Sequence, residues 1–254
     1  MDIIIFTQKE PFYLKNNLEY FINNLPNNIK IKGIILSDVS PFGKKESFFR
    51  KAIKTYQIFG MNFFIHYTIK YIKNILLQES IYDLIERKKI KIINLSDSIN
   101  SKTSIKKIGS FNPDIIVSIL GNQIFRKEIL SLPKIGCINL HTALLPKYRG
   151  LMPSFWVMKN NEKETGVSVF FMDEGIDNGP IIVQKKIKIE NNYTQEDLIR
   201  ITKKIGMKAI IQALVLIKNN NVKLNENDYS KRTYFSFPKK NDVQIFKQLN
   251  KKFY

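Results

Sequence analysis

One cysteine and two histidines are all that 254 residues contain of thiol and imidazole side chains. A lone thiol, Cys137, excludes an internal disulfide framework. With only His66 and His141 beside it, a thiolate cluster or a His-rich zinc site is disfavoured. No apolar run reaches the ~18 residues that a spanning helix needs, so no membrane span is expected. The opening MDIIIFTQKE lacks the basic-then-apolar order of a secretory leader, which makes the cytoplasm the expected compartment. Acidic residues are also scarce, 22 against 41 Lys plus Arg, for a formal charge of +19. That excess favours anionic partners. The lysines, however, run from Lys9 to Lys252 without forming a stripe, so a bias of composition explains them as well. A nucleic-acid partner is disfavoured but left open.

What is present is 44% hydrophobic residues, enough for a core. The spacing reads as strand, helix, strand. Residues 2–6 (DIIIF) form an apolar run of the kind found in buried parallel strands, 13–25 carry helical spacing, and 31–37 form a second strand. No glycine follows the first strand: Thr7-Gln8-Lys9-Glu10-Pro11 stands where a dinucleotide cradle would need a Gly-rich turn. Residues 38–46 read as a turn region. Residues 47–77 read as long helical material broken at Gly60, with His66 a core or surface histidine. Further strands are expected at 90–94, 114–119 and 135–140, with helices at 80–87, 101–108 and 127–130 between them. Residues 167–171 and 181–189 should form an antiparallel hairpin. A helix should open at Thr194 or Gln195 and run to Lys218, with Thr194 and Asp197 as a capping pair. The remaining tail ends in a helix near 242–249.

The predicted fold is α/β: a Rossmann-like, mostly parallel sheet with an antiparallel hairpin, helices on both faces and a small C-terminal appendage. The predicted division is a catalytic domain over 1–218, with a helical insertion near 44–80, and an appendage at 219–254.

Polar groups look placed in one stretch, 136–180. A strand delivers Asn139 and His141 two residues apart, on one face if it persists. A second strand ends in Asp173-Glu174-Gly175-Ile176-Asp177-Asn178-Gly179-Pro180. An amide donor, an imidazole and a carboxylate together suit attack on a carbonyl carbon. No side-chain nucleophile accompanies them, since Cys137 sits among apolar neighbours and reads as structural, so direct transfer between two bound substrates fits better than a covalent enzyme intermediate. Asn-x-His alone is a weak motif, the acids equally read as turn residues, and Lys147 and Arg149 equally read as solvated loop cations.

Three blocks in order strengthen the first reading: Asn139-Leu140-His141, then Leu144-Leu145-Pro146 with Arg149-Gly150, then Gly166-Val167-Ser168 leading to Asp173-Glu174-Gly175-Ile176-Asp177 and Gly179-Pro180. They resemble the folate-dependent formyltransferases, a group that includes enzymes acting on methionyl-tRNA, glycinamide ribonucleotide and nucleotide sugars. The resemblance implies Asn139, His141 and Asp177 as catalytic residues. It implies N10-formyltetrahydrofolate as co-substrate, no metal, and a primary amine as acceptor. It also implies that loops 120–124 (Leu120, Gly121, Asn122, Gln123, Ile124) and 172–177 (Met172, Asp173, Gly175, Ile176 among them) hold the pterin largely through backbone atoms. Ala143 departs from the pattern, where the group commonly has serine, as does Gln8-Lys9, where it often has glycine. The tail of 36 residues, 219 to 254, is short for the tRNA enzyme. The expected acceptor is therefore an amino sugar on a nucleotide diphosphate, with methionyl-tRNA, or a basic binding module without turnover, as the alternatives. A homodimer is left open.

Overall fold

The computed structural model describes residues 1–38, 47–77 and 79–254. Most of the turn region expected at 38–46 lies outside them.

Six strands form one sheet in the order β2-β1-β3-β4-β6-β7. The first four are β1 (Asp2–Gln8), β2 (Lys30–Ser37), β3 (Ile115–Ile119) and β4 (Gly136–His141), all mutually parallel. Then β6 (Glu164–Phe171) and β7 (Ile181–Lys188) add antiparallel, giving the expected mixed sheet. The central strands read as continuous apolar runs because they are buried on both faces. Ile3 and Ile5 of β1 join Val117 and Ile119 under α1 (Leu14–Asn23) and α8 (Gln195–Lys218). The alternating Ile4 and Phe6 join Ile116, Cys137 and Phe125 on the opposite face, with Ile108 and Ile129 from α5 (Lys102–Gly109) and α6 (Lys127–Leu130).

Residues 90–94, expected as a strand, make only an isolated bridge, Ile34 with Ile92. The register of β1 on β2 shifts between Ile3–Ile31 and Ile4–Gly33, leaving Lys32 as a bulge. Such a bulge bends the strand locally.

Helical material at 47–77 divides as its glycine requires: α2 (Phe48–Phe59) stops at Gly60, whose φ of 89° is left-handed, and α3 (Met61–Leu77) begins at once. The capping pair at Thr194 and Asp197 is a full capping box on α8. The shorter α4 (Ile81–Arg87) has one too, from Ser80 and Asp83. No helix among the described residues is long and apolar enough to cross a membrane.

Two elements went unpredicted. The first, α7 (Pro153–Lys159), buries five consecutive residues, Ser154 to Met158, so it shows no amphipathic period. The second is a two-strand pairing of β5 (Arg149–Gly150) with β8 (Tyr234–Phe235), which brings the tail onto the loop that follows β4. From there the chain enters α9 (Lys240–Gln248). Val243, Phe246 and Phe253 are buried against Phe155, Trp156 and Phe59 in an aromatic cluster. Phe246 stacks on Phe155 at 4.9 Å and on Phe253 at 4.6 Å between ring centroids.

Candidate active site

The carboxyl ends of β3 and β4 open into a cavity of about 370 Å³, where ligands of open α/β sheets bind. Its walls include Asn139, His141 and Asp177. They also include Leu120, Gly121, Asn122, Gln123 and Ile124 from one loop and Met172, Asp173, Gly175 and Ile176 from another. All twelve residues singled out from the sequence therefore border one space.

Asn139 and His141 are both on β4, as the strand reading required. Asp177 reaches them from the loop after β6. Its Oδ1 is 3.5 Å from Asn139 Nδ2, and its Oδ2 is 3.5 Å from His141 Nδ1. These are the outer limit of hydrogen-bond contact, the looseness expected before a substrate draws catalytic groups together. Oδ2 is fixed independently by the backbone N–H of Gly150, at 2.9 Å. Asp177 has φ of 49°, in the left-handed region where Asp is one of the better-tolerated residues. Leu120 (φ 55°) and Met152 (φ 51°) on the cavity wall are left-handed without that excuse. Strained backbone of this kind concentrates at functional sites.

His141 is almost fully buried. Its Nε2 lies 2.7 Å from the carbonyl oxygen of Tyr148. A carbonyl oxygen only accepts, so Nε2 donates there, and Nδ1 is the nitrogen left to act toward Asp177 and the cavity. The carbonyl is itself held in place. Tyr148 N–H donates to Thr233 Oγ1 at 2.8 Å, and the phenol donates to Glu162 Oε1 at 2.7 Å. Burial, then the bond to Glu162, pushes the Tyr148 phenol up to about 12. Neither the tail residue Thr233 nor the Tyr148 carbonyl was anticipated, because a backbone acceptor leaves no trace in residue type.

In the loop at 120–124 the polar side chains are engaged within the protein. Asn122 accepts from Ser37 Oγ at 2.7 Å and donates to the Asp38 carbonyl at 2.6 Å. Gln123 Oε1 accepts from Ser98 Oγ and the Ile99 N–H. A Cβ at Gly121 would meet Ser118 Oγ at 2.4 Å and the Phe6 ring at 2.9 Å, so packing inside the protein already demands glycine. Asp173 is likewise turned inward, accepting from Gly175 N–H and from Asn178 Nδ2.

Leu145–Pro146 is a cis peptide. Ser168 Oγ donates to the Ala143 carbonyl at 2.7 Å and accepts from Leu145 N–H at 3.0 Å, pinning the loop although residue 143 has no hydroxyl. Cys137 is buried away from the cavity, and burial pushes its thiol up to about 12. His66 stacks on Tyr254 at 3.7 Å, remote from the cavity lining. Of the tail aromatics, Phe237 lines the cavity, whereas Phe235 packs on Trp156 and Tyr148. Arg149, read as a possible solvated cation, is 3% exposed. Among the described residues no group of three or more His, Cys, Asp or Glu is arranged to hold a metal ion.

Comparison with protein families matches residues 78–214, just over half of the chain, to the family described as formyl transferase. Among curated proteins, the methionyl-tRNA formyltransferase of Clostridioides difficile strain 630 is 41% identical over 133 residues, which is 52% of this chain and 43% of that protein. The chain thus spans less than half the length of this relative. An N-formyltransferase from Helicobacter canadensis, solved with folinic acid and dTDP-3-aminofucose, aligns over 93% of this chain and 71% of its own, with a TM-score of 0.58 and 22% identity. A glycinamide ribonucleotide transformylase from Symbiobacterium toebii aligns over 89% of this chain and 92% of its own, with a TM-score of 0.63 and 16% identity. At these identities the two structures speak for the fold.

Proposed function

This chain belongs to the formyl transferase family, and we propose that it transfers a formyl group from N10-formyltetrahydrofolate to a primary amine. The observation that carries this reading is the meeting of Asn139, His141 and Asp177, from two separate strand ends, in one cavity. The folate supplies a formyl carbon already activated on nitrogen. The residues present suit it: a slot with apolar walls at Leu120, Ile124, Phe170, Met172 and Ile176, and two loops in which the Asn122, Gln123 and Asp173 side chains are already bonded within the protein.

The chain's own groups then have distinct tasks. As the amine nitrogen bonds to the formyl carbon, the carbonyl oxygen takes up negative charge. Asn139 Nδ2 and, with the imidazole carrying a proton on both ring nitrogens, the Nδ1–H of His141 are the donors that receive it. His141 is held for this by the Tyr148 carbonyl, which occupies the opposite ring nitrogen. Asp177 supports the donating imidazole and accepts the proton that the amine loses, directly or through water. When the old carbon–nitrogen bond breaks, its electron pair stays on the folate nitrogen, which takes a proton, and the amine leaves as a formamide.

The acceptor we favour is an amino sugar carried on a nucleotide diphosphate. The tail supports it: β8 closes on the loop after β4 and sets Phe237 at the cavity, while basic and aromatic side chains gather beside it. Methionyl-tRNA is the second reading, favoured by the 41% identity to a methionyl-tRNA formyltransferase over 133 residues. The deciding experiment offers the protein N10-formyltetrahydrofolate with either a panel of nucleotide-linked amino sugars or charged initiator tRNA. Faster transfer to a sugar amine supports the first reading; faster transfer to tRNA replaces it.

A further inference from the structure

Beside Asp177, on the side of the loop facing the tail, lies a second cavity of about 480 Å³, lined by Arg149, Arg232, Tyr229 and Tyr234 among others. Arg149 is buried, yet among the described residues no carboxylate pairs with it. Its Nη1 donates to the Asn178 amide oxygen at 2.7 Å and its Nη2 to that of Asn227 at 3.2 Å, both neutral acceptors. Its buried Nε has no partner. A buried guanidinium satisfied only by amides, with one donor unused, is costly unless something negative reaches it.

Arg232, exposed to solvent, stands on the other wall. It stacks over the Tyr229 ring at 3.2 Å from the centroid, and among the described residues it forms no ion pair. The two arginines repel one another. Burial, and next the charge of Arg232, lowers the Arg149 pKa, against weaker support from Asp177 and Asp173. Two cations thus border one hollow, and among the described residues neither is hydrogen-bonded to a carboxylate.

We propose that this hollow is an anion subsite that takes the diphosphate of a nucleoside diphosphate, with the exposed ring of Tyr234 as a face for the base. Guanidinium forks match phosphate oxygens in pairs, which a lone carboxylate would not exploit from two sides. The stacking of Arg232 on Tyr229 holds one fork in place beforehand. Gly175 and Ile176 line both cavities, so a molecule anchored here by phosphate has its far end beside Asp177. The inference rests on the proposed transfer to a nucleotide-linked amine, and it names the groups that would bind the nucleotide.

The test measures binding by calorimetry, without turnover. The probes are inorganic pyrophosphate, UDP and dTDP, and a short RNA of the same phosphate count, against the wild-type protein and the variants Arg232→Gln, Arg232→Lys and Arg149→Lys. Loss of a charge-assisted pair predicts affinity for pyrophosphate and the nucleoside diphosphates about 10- to 100-fold weaker in R232Q. R232K should recover part of it. Tetrahydrofolate binding serves as the check that each variant is folded. Nucleoside diphosphates binding more tightly than pyrophosphate would support the base contact with Tyr234. Wild-type protein that ignores all the diphosphates, R232Q that binds them unchanged, or RNA bound in their place, each overturns the proposal. If R232Q abolishes diphosphate binding while no amine is ever formylated, the subsite stands and the transfer reading fails.

Discussion

Replacing Asp177 by asparagine separates chemistry from architecture. Asparagine tolerates the left-handed backbone that residue 177 adopts at φ of 49°, and its amide oxygen can still accept from Gly150 N–H. What disappears is one negative charge 3.5 Å from His141 Nδ1, together with the group proposed to accept the amine proton. At an effective dielectric constant near 20, unit charges at that distance interact by about 4–5 kcal/mol. The share specific to the transition state is smaller, and general-base loss alone is typically worth ~10²- to 10⁴-fold. We therefore expect D177N to lower kcat by about 10²- to 10⁴-fold, equivalent to about 3–5 kcal/mol. The melting temperature should stay within ~2 °C of wild type, because one buried hydrogen bond is kept. Stopped-flow or quenched single-turnover transfer, with thermal unfolding run beside it, reads both quantities. Asp177→Ala is the counterpart: it should lose activity and also stability, by about 1–2 kcal/mol for a left-handed alanine. If D177N keeps rates within ~5-fold of wild type, Asp177 neither takes a proton nor supports the imidazole, and the reasoning fails.

Three other outcomes follow from the geometry. Gly150→Ala would set a methyl group 2.3 Å from the Phe235 carbonyl oxygen, at φ of 94°. It should cost about 2 kcal/mol or more in urea unfolding and loosen the β5–β8 pairing, so that transfer falls along with stability. Phe246→Ala empties the aromatic cluster under α7 and should cost about 3–5 kcal/mol by the same assay, at a site that touches no substrate. Cys137, held at about 12 by burial, should resist alkylation at pH 8 in the folded protein and react readily once unfolded. Because its folded pKa lies above the ordinary 9.0, its contribution to stability is whole below pH 9 and is lost as pH climbs from there toward 12.

The sequence made the site more legible than its supports. Asn139 and His141 could be found because a strand of period 2 and a residue pair two apart carry their geometry in the letters. Asp177 and the loop at 120–124 could be tied to them through the resemblance, which placed separated blocks in order. The supports are written in the backbone. The Tyr148 carbonyl that orients His141 and the Gly150 N–H that fixes Asp177 would be the same atoms on almost any residue. Arg149 looked like a loop cation because burial of a single charge depends on what the distant tail lays over it, and Asn227 and β8 lie far along the chain. Residues 90–94 have the letters of a strand, yet they make a single bridge beside β2. The helix α7 hid for the opposite reason: burial on all sides erased its period.

The most direct measurement uses N10-formyltetrahydrofolate labelled at the formyl carbon, one turnover, and mass analysis of the products. The account predicts label in the amide of the amine acceptor, and loss of that product in Asn139→Ala, His141→Ala and D177N. Label released only as formate, or label in the amide at undiminished rate in all three variants, would contradict it.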